Sequence, residues 1–140
     1  MELKMTIVEI TAFLEKIFPQ IDKDFEVISL AVGEVVVRMR VQDRHLRPGG
    51  TVSGPSMFAL ADVSYYVATL ALIGPEALTV TTNCSIDFMR KPAANRDMIC
   101  KAHVLKLGRT LSVGDVMLYS EGIEEPVAHA NLTYSIPPKR

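Results

Sequence analysis

Cysteine is scarce in this chain: residues Cys84 and Cys100 are the two in a length of 140. Two thiols can neither build a disulfide framework nor complete a tetrahedral thiolate metal site, so both are expected as small buried hydrophobes in a reducing compartment. An excess of charge is lacking too, because fifteen basic and sixteen acidic side chains leave a formal net charge of -1. Such a balance supplies no global basic field for nucleic acid or for an anionic membrane, and neither is expected as a partner. His45, His103 and His129 are scattered without metal-ligand spacing, so no metal is expected. The opening stretch MELKMTIVEITAF carries Glu2, Lys4 and Glu9 among its apolar residues. It lacks the apolar core and small-residue cleavage site of an export signal, and a cytoplasmic location is expected. No repeat and no low-complexity segment occurs. Ser53 sits in no Gly-x-Ser-x-Gly elbow, and Gly49-Gly50 lacks the spacing of a nucleotide phosphate loop.

What is present is a folded soluble composition, 49% hydrophobic and 22% charged. The length suits one globular domain over residues 1–140 that can bury a core without staples. The most apolar stretch, PSMFALADVSYYVATLALI at 55–73, would just permit a membrane span by length. Asp62 near its middle, the missing basic flanks and the strand-like segments on either side read it instead as a buried helix.

Around that helix the periodicity changes from segment to segment. Ile7, Ile10, Leu14 and Ile17 recur at spacings of three and four, which predicts an amphipathic helix stopped at Pro19. Val35, Val37, Met39 and Val41 alternate with Glu34, Val36, Arg38 and Arg40, predicting two strands over 25–41 that turn at Gly33. A polar, glycine-rich loop, 42–54, delivers the chain to the apolar helix, with Ser53 or Gly54 at its cap and Gly74-Pro75 at its end. Beyond it, Leu78, Val80, Cys84, Ile86 and Phe88 alternate with Thr79, Thr81, Asn83, Ser85 and Asp87 in a half-buried strand. Strand-like runs at 98–107, 110–120 and 127–136 follow, and short turns predict the last four strands as an antiparallel meander. The fold class is α+β, with the long helix packed against the sheet.

Asp62 is the main candidate for chemistry. It lies about two turns inside an apolar helix, too deep to cap it. A carboxylate there either finds hydrogen-bond partners, as a structural aspartate does, or serves as a general base or nucleophile. The helix start at Ser53-Gly54-Pro55 is the second candidate: free N–H groups and the positive end of the helix dipole can polarise a carbonyl. Gly54 and Asp62 are eight residues apart, roughly 12 Å along a helix axis. One reacting carbonyl cannot touch both, so if they act together, a two-fold dimer has to set one helix start beside the other copy's Asp62.

The stretch His45-Leu46-Arg47-Pro48-Gly49-Gly50-Thr51-Val52-Ser53-Gly54, continuing to Leu60-Ala61-Asp62, resembles the loop-helix signature of hotdog-fold acyl-CoA thioesterases of the phenylacetate-pathway (PaaI-like) type. Ser85-Ile86-Asp87-Phe88-Met89-Arg90-Lys91-Pro92 and Gly108-Arg109-Thr110-Leu111-Ser112-Val113 resemble two further segments of that family, in its order. The resemblance implies a long central helix wrapped by a five- to six-stranded antiparallel sheet, here with an N-terminal amphipathic helix in addition. It also implies homodimers or dimers of dimers with active sites at the interface. Gly54 would then polarise the thioester carbonyl, and Asp62 of the other subunit would activate water or attack directly. Thr81 would contribute a hydroxyl near the attacking water, and Arg90, Lys91 and Arg109 would meet the phosphates of CoA. Tyr65 and Tyr66, which follow Asp62 in the helix, read as core or interface packing, and one of them, with Tyr66 as the candidate, would line the acyl pocket. This chain has Ser53 where the family has a His, Pro55 where it has a second Gly, and Arg47 where it has a loop Asn. Arg47 puts a positive charge at the pocket mouth, suited to an acidic acyl group or a CoA phosphate.

The expected activity is hydrolysis of a small or medium acyl-CoA thioester with no cofactor besides the CoA of the substrate. The first rival is a non-catalytic acyl-CoA or lipid-binding hotdog protein, which the missing His and Asn favour. A hotdog dehydratase is disfavoured because the helix-entry loop shows no His with an acidic partner.

Overall fold

The computed structural model describes residues 1–19 and 22–138. Helix α1 (Ile7–Ile17) begins where Thr6 accepts the Glu9 N–H and the Glu9 carboxylate accepts the Thr6 N–H, a capping box. It buries Ile10 and Leu14 and ends at Phe18, ahead of Pro19. Strands β1 (Phe25–Ala31) and β2 (Glu34–Met39) form the expected hairpin about Gly33. Helix α2 (Gly54–Ile73) is capped by Ser53 and stopped at Gly74, whose N–H donates to the Leu70 carbonyl. Strands β3 (Val80–Phe88), β4 (Met98–Leu107), β5 (Leu111–Ser120) and β6 (Ala128–Ser135) complete the chain.

All six strands join one antiparallel sheet in the order β1-β2-β4-β5-β6-β3. This corrects the expected four-strand meander. Strands β4, β5 and β6 do follow one another, but β3 pairs with β6, and β4 pairs with β2. The cause is α2: it carries the chain across the sheet and lands it beyond β6, and residues 89–97, with Pro92 and a left-handed Asn95, bring it back to β2. A link of that length and composition is no hairpin turn.

The sheet wraps α2 with side chains that are apolar and mostly short. Val35, Val37, Met98, Cys100, Ala102, Val116, Leu118, Ala130 and Leu132 face a helix whose Leu60, Ala61, Tyr65, Val67 and Leu70 are buried. The apolar run is therefore a core helix, as its flanks implied. Tyr65 packs directly on the sheet, and only glycine fits beneath it: a Cβ on Gly114 would lie 2.5 Å from Tyr65 Cε1 and 2.1 Å from the His103 carbonyl oxygen. The Tyr65 hydroxyl and Thr69 Oγ1 both meet Ser112 Oγ, at 2.8 and 3.0 Å, so this polar group inside the core is satisfied.

Strand β3 does not repeat the pattern its sequence suggests. Its register with β6 shifts between Thr81 and Asn83, a β-bulge. After the bulge, Cys84, Ile86 and Phe88 sit opposite the inward-facing Leu132, Ala130 and Ala128; before it, Thr81 sits opposite the inward-facing Tyr134. Along the chain, the extra residue switches the inward face from odd positions before the bulge to even positions after it. Thr79 is thus buried at 3% exposure, while Val80 is 53% and Leu78 68% exposed. Cys100 is fully buried, which pushes its thiol up to about 12. Cys84 is only half-buried, against expectation, because β3 is an edge strand with nothing beyond it.

Candidate active site

Asp62 sits where α2 crosses the bulged end of β3. Its Oδ1 accepts hydrogen bonds from Thr81 Oγ1 and from the Tyr134 hydroxyl, both at 2.6 Å. Tyr134 is also 2.9 Å from the Asp62 backbone carbonyl, so one phenol spans two acceptors on the same residue. Among the described residues Oδ2 has no hydrogen-bond partner. One carboxylate oxygen is fixed and the other left available, which is the geometry of an oriented base or nucleophile. Burial, and then the Asp62 charge, push the Tyr134 phenol well above the ordinary tyrosine range, so it acts as a proton-bearing donor. The Cys84 thiol is pushed up by burial and by the same carboxylate.

The carboxylate opens on a cleft of about 470 Å³. Ala59, Val63 and Tyr66 of α2, Thr79 and Thr81 at the start of β3, and Phe18 line it. The Tyr66 ring meets Phe18 edge-on at 5.9 Å and its hydroxyl donates to the Ala77 carbonyl at 3.2 Å. Burial raises its phenol to about 12. The amphipathic α1 therefore also closes a site, since Phe18 is its C-cap.

The helix start lies at the other end of β3. Ser53 Oγ accepts the Ser56 N–H at 3.3 Å and contacts Ser56 Oγ at 3.0 Å. Gly54 is the first residue of α2, so its N–H has no intrahelical acceptor, and Pro55 after it carries no N–H to compete. The ring of Phe88 packs against Gly54, at 3.5 Å from where a Cβ would stand. Arg47 is exposed in a small hairpin whose base is the bridge between Leu46 and Val52. Arg90, two residues beyond β3, donates from Nε to the Pro126 carbonyl at 3.0 Å, and Lys91 beside it is exposed. Arg109 stands apart from both, in a cleft of about 630 Å³ at the far end of α2 with Lys4, Ile73 and Glu76. The fold thus gathers Asp62, Thr81 and Tyr66 at one place, while Ser53 and Gly54 lie at the Phe88 end of β3, two residues along the chain from Arg90.

Sequence reasoning overlooked three participants. Tyr134 follows the ordinary alternation of β6 and carries no local signal. Thr79 Oγ1, buried and without a hydrogen-bond partner among the described residues, sits on the cleft wall only because of the bulge. The third corrects the argument against a dehydratase. His45 in the helix-entry loop does have an acidic partner, since its Nε2 lies 3.2 Å from Asp24 Oδ2, and its Nδ1 accepts the Gln42 N–H at 2.8 Å. Both nitrogens of this buried ring are engaged, so it offers no free base. Asp24 is twenty-one residues away in sequence, which is why spacing could not reveal the pair.

A six-stranded antiparallel sheet wrapped around one long helix is the hotdog fold of PaaI-like thioesterases. The sequence profile of the thioesterase superfamily matches residues 49–127, and the chain belongs to that family. It is 31% identical over 108 residues to acyl-coenzyme A thioesterase 13 of Homo sapiens, covering 76% of this chain and 75% of that protein. A crystal structure of a candidate thioesterase from Silicibacter sp. TM1040 superposes with a TM-score of 0.93 at 61% identity, over 99% of this chain and 96% of the other. A variant of the phenylacetic acid degradation protein PaaI from Thermus thermophilus does so with a TM-score of 0.73 at 30% identity, over 85% and 99%.

Proposed function

We propose that this protein hydrolyses a small or medium acyl-CoA thioester to the free acid and CoA, in the cytoplasm, with no metal or redox cofactor. The observation that carries the proposal is the Asp62 carboxylate, anchored through Oδ1 and open through Oδ2 on a cleft walled by apolar side chains. The named activity of the human relative supports the CoA thioester as substrate class. In this reading Asp62 either takes the proton of an attacking water or attacks the carbonyl carbon itself. The oxyanion that forms is held by a Gly54 N–H, and collapse expels the CoA thiolate; where Asp62 itself attacks, water then cleaves the resulting mixed anhydride to release the acid and restore the carboxylate. Thr81 and Tyr134 orient the carboxylate, Tyr66 closes the acyl cleft, and Arg47, Ser53, Arg90, Lys91 and Arg109 surround the CoA moiety.

The reaction needs Gly54 and Asp62 at one carbonyl, and within one chain they sit at opposite ends of β3. Full-length antiparallel pairing of two β3 strands would set the Phe88 end of one, with its Gly54, against the Val80–Thr81 end of the other, with its Asp62. The same pairing would bring the Arg109 end of one copy to the Arg90 end of its partner. Strand β3 is a bare sheet edge carrying exposed apolar side chains, with Phe88 at 50% and Val80 at 53%, a surface that a second copy would cover. A homodimer, alone or as half of a tetramer, is therefore part of the proposal.

Purified protein assayed against a series of acyl-CoAs with thiol detection tests it. Turnover that disappears in Asp62→Asn is the expected result. Tight CoA-ester binding with no turnover in either form would overturn it and select the non-catalytic reading.

A further inference from the structure

The one buried histidine is not in the cleft. His45 is 7% exposed, and both ring nitrogens are in use. Because Nδ1 accepts the Gln42 N–H at 2.8 Å, the ring proton sits on Nε2, facing Asp24 Oδ2 at 3.2 Å. Asp24 is itself fixed, by the Arg44 guanidinium on Oδ1 and by its own carbonyl, which accepts the Arg40 N–H at 2.8 Å. The ring is therefore tied to the junction where β1 starts and β2 ends.

The other end of His45 reaches the helix. Its carbonyl accepts the Ser53 N–H at 2.8 Å, and within the hairpin between them the Arg47 N–H donates to the Thr51 carbonyl at 2.8 Å. Ser53 is the cap of α2, and the next peptide N–H along the chain is that of Gly54. A line of hydrogen bonds thus runs from the sheet through Asp24 and the imidazole to the peptide beside Gly54.

We propose that His45, held by Asp24, is a positioning residue for the Gly54 N–H and acts through Ser53. The proposal rests on Gly54 as the donor that stabilises the oxyanion. Such a donor works through its placement, and a small displacement weakens the transition state more than the bound substrate. Loss of the imidazole therefore lowers kcat and leaves KM near its starting value.

The test compares wild type with His45→Ala, His45→Asn and Asp24→Asn in the full-length protein, by steady-state kinetics on the best acyl-CoA and by thermal unfolding. The Asn side chain can offer its amide oxygen to the Gln42 N–H in place of Nδ1. Expected is a roughly ten- to hundredfold fall in kcat for His45→Ala, with KM within about twofold and partial recovery in His45→Asn. The Gly54 amide resonance in a 15N-labelled sample, recorded without substrate, should move in His45→Ala and return towards its wild-type position in His45→Asn. Wild-type turnover with kcat unaffected by any of the three changes would overturn the proposal, and so would kcat losses that track thermal stability alone with no recovery in His45→Asn. Absence of turnover in wild type would instead sink the thioesterase reading, and the Gly54 resonance would then decide this proposal, an unmoved signal refuting it. Should His45→Ala fail to fold, Asp24→Asn, which weakens the hold on Nε2, is the loss variant: a fall in kcat with a shifted Gly54 resonance is expected, and neither changing would overturn the proposal.

Discussion

Tyr134 holds Asp62 by two contacts, one to the carboxylate and one to the backbone carbonyl, and only its hydroxyl does so. Tyr134→Phe keeps the ring packing and removes both contacts. We expect kcat to fall about tenfold, against a loss of at least about a hundredfold for Asp62→Asn, in the same thiol-release assay. Thr79 gives the opposite expectation. Its buried hydroxyl has no partner among the described residues, so Thr79→Val, nearly isosteric, should stabilise the fold by about 1 kcal/mol in chemical denaturation. Asp62 was legible in the sequence because a lone carboxylate in an apolar helix stands out against its neighbours. Tyr134, Thr79 and Asp24 were not, since each gains its role from a strand or turn distant in the chain.

At the scale of elements, helix positions follow from periodicity and caps, both local, and both helices appear where sequence places them. Strand β3 shows the limit of that reasoning. Its even-numbered apolar residues look like one continuous inner face, and a single bulge, set by pairing with β6, moves that face by one residue halfway along. Close packing between elements is equally invisible until they meet. Gly114 looks like a neutral strand glycine, yet it is the place where Tyr65 of α2 touches the sheet. Because a Cβ there would collide with backbone as well as with the ring, Gly114→Ala should destabilise by about 3 kcal/mol or more. A lower denaturant midpoint, or failure to accumulate folded protein, is the corresponding measurement.

For the molecule as a whole, the fold class was legible, but the strand order was not, because it depends on where α2 sets the chain down. Its titration behaviour also emerges only at this scale. Burial pushes the thiol of Cys100 and the phenols of Tyr65, Tyr66 and Tyr134 upward. Each is an acid whose folded value lies above its unfolded one, so the unfolded chain releases protons first as pH rises. The stability these groups contribute is complete below about pH 9, the ordinary thiol range, and is lost progressively through and above pH 10. Thermal unfolding should therefore show a falling midpoint above about pH 9, with a shallower decline in Tyr134→Phe.

The bare edge of β3 has a consequence that can be read in a mixing experiment. If two copies join there, each cleft takes its carboxylate from one chain and its helix-start N–H from the other. Asp62→Asn and Gly54→Pro, the latter removing the N–H itself, would each be inactive as pure proteins. Unfolded and refolded together, half of the dimers would be hybrids, with both lesions in one cleft and neither in the other. About a quarter of wild-type activity should then return from two dead parents, whereas a site contained within a single chain would return none.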